Sequence, residues 1–153
     1  MASTFVKQIM KKNVITIDGS MSVQEAAQMM TNANVGCVIV TIKDKPAGII
    51  TERDFVTRIA AEGRPLFTDV SHVMSIPITT VSPDDTVWDA AEIMRRKGIH
   101  KLPVREGNEI VGIITTSDFV KICSYGSDSQ MRNICDQILL RINLPNNLEA
   151  GLN

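Results

Sequence analysis

The chain has 153 residues, about 44% of them apolar, and a formal net charge of −1 from 16 basic and 17 acidic side chains. That is enough apolar matter for a real core, and the near balance of charge argues against a primary role in binding nucleic acid or anionic lipid. No apolar run nears the roughly 18 residues of a membrane span and the start, MASTFVKQIMKK, lacks a signal-peptide core, so a soluble, cytoplasmic protein is expected.

In chain order, the pattern predicts a short helix over residues 5–11 and an extended segment around 14–17. A helix then opens at Ser22, whose S-x-x-E spacing to Glu25 is a capping box. Val23, Ala26, Ala27 and Met30 fall at i, i+3, i+4 and i+7, one apolar face that reads as core. The β-branched runs 35–42 and 47–50, joined by KDKP, predict a hairpin. Thr51-x-x-Asp54 opens the last helix, predicted over 54–62, and RPLFT (64–68) is a short linker.

The same order then recurs. A shift of 64 positions aligns residues 6–59 with 70–123 without a gap, with identities that include Met10/Met74, Ala26/Ala90, Met30/Met94 and Gly48/Gly112. GIITERDFV at 48–56 becomes GIITTSDFV at 112–120, and the capping box becomes Thr86-x-x-Asp89. The second hairpin spans 99–104 and 110–114, and Pro103 inside its strand predicts an edge or a strand end. The fold class expected is α/β (α+β): two pseudo-symmetric α-β-α-β-β-α repeats, 5–62 and 69–125, packed sheet to sheet because about 60 residues cannot bury a sheet face alone. A tail, 126–153, carries a predicted helix over 130–142 that packs back or meets a second copy of the chain.

The strand-to-helix junctions carry the chemistry. A T-x-x-D by itself is a helix cap. Here a glycine precedes each one at a fixed offset and the strand runs directly into the helix, which aims backbone amides and the positive helix end at one point. The second copy adds the hydroxyls of Thr116 and Ser117, and the first has Arg53, a guanidinium suited to phosphate. His100 and Lys101 open a strand of the second unit, as a solvated strand end or as further phosphate partners. An Asp able to accept from two hydroxyls suits a ribose diol. Arg95, Arg96 and Lys97 read as a solvated helix end before Gly98.

Cys37, Cys123 and Cys135 are odd in number and widely spaced, and read as small buried hydrophobes of a reducing compartment rather than metal ligands. His72 and His100 have no partnered nucleophile in a recognisable motif, and neither a phosphate-binding G-x-x-x-x-G-K-[ST] loop nor H-E-x-x-H is present, so no enzyme is expected.

VSPDDTVWDAAEIM, GIHKLPV and GIITTSD, with ITIDGSMSVQEAAQMM, VGCVIV and GIITERD in the first copy, resemble a tandem pair of cystathionine-β-synthase (CBS) domains, the Bateman module, of the stand-alone prokaryotic type. The resemblance covers about residues 5–124 and implies a disc with two clefts between the repeats for adenosine-containing ligands. It implies ribose and phosphate roles for Thr51 and Asp54, and for Thr115, Ser117 and Asp118; phosphate contacts at His100 and Lys101, beside Pro103; and an adenine lining of Val14 and Ile15, and of Ile78 and Thr79. In the first copy Gly36 and Cys37 stand where the second has His100 and Lys101, and Arg53 stands for Ser117, so two non-equivalent sites are expected. The function expected is a regulatory module with no covalent cofactor, sensing AMP, ADP or ATP, pairing as a homodimer and signalling to an enzyme or transporter. The alternatives are a docking scaffold with unused clefts and a sensor of another adenosyl ligand such as S-adenosylmethionine.

Overall fold

The structure, a computed structural model, describes residues 4–125 and Asp136; the predicted tail helix over 130–142, Asp136 apart, and Cys135 lie outside them, and the side chain of Cys123 is likewise not described. It is a mixed α/β chain with two sheets, as the pattern predicts. Helix α1 (Val6–Ile9) precedes strand β1 (Thr16–Asp18), helix α2 (Val23–Ala33), and strands β2 (Cys37–Ile42) and β3 (Lys45–Thr51). Helix α3 (Glu52–Asp54) is a single α turn that continues as a π-helix, Phe55–Ala60. A 3₁₀ turn (Val70–His72) leads to α4 (Val87–Lys97), β4 (Lys101–Glu106), β5 (Glu109–Thr115) and α5 (Thr116–Tyr125).

The two long helices, α2 and α4, open where the sequence directs, whereas the helix expected over 5–11 is confined to Val6–Ile9 and the one expected over 54–62 opens earlier, at Glu52. Ser22 accepts the Glu25 amide at 3.2 Å while the Glu25 carboxylate takes the Ser22 amide at 2.8 Å. Thr86 and Asp89 repeat the arrangement at 3.1 and 3.0 Å. The ends correspond too: Asn34 (φ 52°) and Gly98 (φ 64°) are left-handed C-caps, 64 positions apart. Arg96 and Lys97 are exposed and Arg95 pairs with Glu92, so the basic run is a solvated helix end.

The first sheet is ordered β1-β2-β3, with β1 parallel to β2 (Ile17 opposite Val40) and β2 antiparallel to β3. The KDKP connection is tighter than expected. Lys43 and Asp44 both take positive φ in a two-residue turn, and Lys45 and Pro46 already belong to β3. Pro46 is tolerated because it lies opposite Thr41, where the register shifts. In the second copy the counterpart of β1 shrinks to one parallel bridge, Val81 to Val104, beside the two-stranded sheet β4-β5. The Pro103 carbonyl accepts from Val81 and the Arg105 amide donates back to it. Pro103 thus lies inside β4 and not at its end, and the missing proline N–H faces the side served by a single bridge, the edge position that it predicts.

The chain divides into two compact units, and they do not coincide with the two sequence copies. Among the described residues, unit 1 joins 4–12 to 80–106 and 111–125, and unit 2 joins 13–79 to 107–110. The leading segment of each copy is thus built into the unit that holds the other copy's helix and strands. In unit 1, Val6 is fully buried with Val81, Ala90, Ala91, Met94, Leu102, Val104, Ile114 and Phe119. In unit 2, Val70 takes the same place among Ile17, Val23, Ala26, Met30, Val38, Val40 and Ile50.

Candidate functional site

Each leading segment is pinned to the strand before a junction. Lys11 and Ile113 exchange two backbone hydrogen bonds of 2.9 Å in unit 1, and Ser75 and Ile49 exchange two of 2.9 and 3.2 Å in unit 2. The glycine of each G-I-I-T motif makes this approach feasible. A Cβ on Gly112 would stand 2.6 Å from the Met10 sulfur and 3.0 Å from the Lys11 carbonyl; on Gly48, 2.7 Å from the Met74 sulfur and 2.8 Å from the Ser75 carbonyl. The repeated Met10/Met74 and Gly48/Gly112 identities are therefore two halves of one contact.

At the first junction the Asp54 carboxylate reaches back to the Thr51 amide (2.8 Å) and receives the Thr51 hydroxyl (3.3 Å), both on Oδ2. At the second, Asp118 Oδ2 receives the Thr115 amide (2.8 Å) and hydroxyl (3.1 Å). The two aspartates are the buried charged residues among those described, 7% and 4% exposed. The following amide is also engaged: Glu52 donates to the Gly36 carbonyl at 3.2 Å and Thr116 to the His100 carbonyl at 3.1 Å. The amides expected to point freely at a ligand are thus partly occupied by the fold, because a helix start must satisfy its own donors. Each aspartate's second oxygen faces a cation. Arg58 Nε lies 3.4 Å from Asp54 Oδ1, and Lys11 Nζ 3.7 Å from Asp118 Oδ1. Arg58 also donates to the carbonyls of Val73 (3.1 Å) and Met74 (3.0 Å).

The expected residues divide between the units. Unit 1 gathers His100, Lys101, Pro103, Thr115, Ser117 and Asp118; His100 and Ser117 are exposed, Lys101 and Thr115 half-buried and Pro103 buried. Unit 2 gathers Val14, Ile15, Gly36, Thr51, Arg53 and Asp54, with Arg53 exposed and Val14 and Ile15 half-buried. Ile78 and Thr79, matched to the second copy, fall in unit 2 and not with Thr115 and Asp118. Lys11 and Arg58 were not among the residues expected. Arg58 was legible as the i+4 partner of Asp54, whereas Lys11 lies 107 positions from Asp118 and the repeat alignment places its segment in the first copy, not with Asp118.

Beside the first junction, within unit 2, lies an open cavity of about 460 Å³, a size that suits a small molecule. Ala27, Met30, Val35 and Phe55 give it apolar walls, Gly36 joins them, and Glu52 is the one charged lining residue. No cluster of metal-ligating side chains and no helix long and apolar enough to cross a membrane occurs among the described residues.

The CBS domain family model matches twice, at residues 6–61 and 70–125. The chain is 33% identical over 134 residues to the CBS domain-containing protein YhcV of Bacillus subtilis, covering 86% of this chain and 96% of the relative. It is 36% identical over 128 residues to the uncharacterized protein MK0525 of Methanopyrus kandleri, covering 82% of this chain and 65% of that one. Among solved structures, an uncharacterized conserved protein from Pyrococcus horikoshii aligns with a TM-score of 0.77 at 26% identity, over 84% of this chain and 99% of that one. The CBS domain pair of protein MJ0100, solved with 5′-methylthioadenosine and S-adenosyl-L-methionine, aligns with a TM-score of 0.73 at 26% identity, over 80% and 98%. Two matched domains, spanning the repeats read from the sequence, establish that the chain belongs to the CBS domain family as a tandem CBS pair.

Proposed function

We infer that the chain is a non-catalytic, cytoplasmic regulatory module that binds adenine nucleotides (AMP, ADP or ATP) at its T-x-x-D junctions and passes their occupancy to a partner protein. The observation that carries the reading is the paired aspartate, locked through one oxygen by Thr51 or Thr115 and left with the other oxygen toward a cation. A buried carboxylate held in this way is preorganised to accept from the vicinal hydroxyls of a ribose, and the helix start beside it favours phosphate. The second junction is the better equipped, since His100, Lys101, Thr116 and Ser117 belong to its unit. Ligand that binds one arrangement of the pair better than another shifts the population toward it, which is the signal a partner reads. Calorimetric titration with the three nucleotides tests the reading: a binding heat that disappears in Asp118→Ala supports it, and no heat with any of them refutes it.

A second reading is an S-adenosyl ligand at the first junction. It is favoured by the MJ0100 complex and by a neighbouring cavity whose charged lining group is a carboxylate, not a cation. Competition between ATP and S-adenosylmethionine separates the two. The proposal includes a homodimer: Val56 and Val120 occupy equivalent positions after the two junctions and are 64% and 48% exposed, so each junction helix presents apolar surface to a second copy. Sedimentation equilibrium reads the stoichiometry directly.

A further inference from the structure

We propose that Lys11 sets the charge selectivity of the second junction: by neutralising the buried Asp118 carboxylate, it allows a phosphorylated nucleoside to settle at a helix start that would otherwise present a bare anion. This rests on the reading of that junction as a nucleotide site and adds which nucleosides it accepts.

A carboxylate and a phosphate are both drawn to the positive end of one helix, and they repel each other there. Asp118 cannot withdraw, because Thr115 fixes its Oδ2 and it is almost wholly buried. A cation on its other oxygen resolves the conflict. The two units supply that cation differently. Arg58 is anchored by Asp54 and by the carbonyls of Val73 and Met74, so turning it to a ligand would strand two part-buried acceptors. Lys11 is held by its backbone, through the paired bonds to Ile113 and the seat of Met10 on Gly112, while its side chain is 54% exposed. Its Nζ stands 3.7 Å from Asp118 Oδ1, and among the described residues no hydrogen bond holds it. A flexible stem carrying a compact ammonium from a fixed Cα can share its charge between Asp118 and an incoming phosphate. The His100 carbonyl, bonded to the Thr116 amide, brings the His100-Lys101 segment to the same helix start, so further positive charge is placed near the ligand end. A nucleoside without phosphate gains nothing from Lys11.

The test is calorimetry with AMP and with adenosine on the unaltered chain, Lys11→Met and Lys11→Arg, with Asp118→Ala marking the site and thermal melting confirming the fold of each variant. Loss of one charge-assisted contact predicts that Lys11→Met weakens AMP about tenfold or more while adenosine changes by less than about twofold, and that Lys11→Arg keeps the AMP preference. Equal weakening of both ligands, or unchanged AMP affinity in Lys11→Met, overturns the proposal while leaving the nucleotide site standing. Binding of neither ligand by the unaltered chain, or retention of both in Asp118→Ala, overturns the nucleotide reading itself and this proposal with it.

Discussion

Asp54 and Asp118 are the same residue of the repeat placed in two electrostatic settings. Each spends one oxygen on its own helix start, but Asp54 is paired within its own helix by an arginine fastened to two carbonyls, and Asp118 by an exposed lysine. The consequences for stability differ in kind. Arg58→Met leaves a buried carboxylate without its cation and two main-chain acceptors without a donor, which predicts a loss of about 1–3 kcal/mol in urea unfolding. Lys11→Met removes only a half-exposed ion pair beyond hydrogen-bond length, and predicts a loss under about 1 kcal/mol. Equal losses in the two variants would contradict the assignment of a structural role to Arg58 and a ligand-facing role to Lys11.

At the scale of elements, the G-I-I-T-x-x-D segment does two jobs at once: it starts a helix and offers a flat strand surface to a methionine. Gly112→Ala places a Cβ against the Met10 sulfur, which can move, and against the Lys11 carbonyl, which is held in the backbone pairing. Overpacking of this sort predicts a loss of about 1–3 kcal/mol, of which Met10→Ala in the same chain recovers only the sulfur's share. The capping boxes give a pH signature. The Ser22 amide, and after it the Ser22 hydroxyl, hold the Glu25 carboxyl below its ordinary value of 4.5. A carboxyl lowered on folding stabilises the fold fully above its unfolded value and ceases to do so as pH falls through the folded one. The melting temperatures of the unaltered chain and Glu25→Ala are therefore expected to differ at neutral pH and to converge in acid below pH 4.5. A difference that persists there would mean the box acts by something other than the ionised carboxylate.

Much at this scale was legible because it is local: capping boxes, the Val-Ala-Ala-Met face and β-branched runs act within a few residues. The misjudged details are those where a tertiary neighbour decides. The Lys43-Asp44 turn draws Pro46 into β3 at a register shift, the second copy's first strand is reduced to Val81, and the helix after Asp54 runs as a π-helix. At the site, the Thr-Asp pairs were readable from spacing, but the partners of their free oxygens were not, since Lys11 reaches Asp118 only through the fold.

On the scale of the molecule, the repeat hides an exchange. Residues 5–12 open the first copy in sequence yet belong to the unit of the second, where Val6 fills its core. A fragment of residues 69–125 alone therefore lacks Val6 and Met10 and is expected not to unfold cooperatively, whereas adding the leading segment as a peptide is expected to restore a transition by circular dichroism. A fragment that melts sharply without it would show the exchange to be dispensable. The exchange also ties the second junction to the leading segment of the first copy, through the Lys11–Ile113 pairing.

The Thr115–Asp118 junction is proposed to hold an adenine nucleotide. Calorimetric titration of the unaltered chain and Asp118→Ala with AMP, ADP and ATP tests it most directly. Saturable binding of at least one nucleotide, lost in Asp118→Ala while the variant still melts cooperatively, is the predicted result; no heat in the unaltered chain, or equal affinity in both, would contradict it.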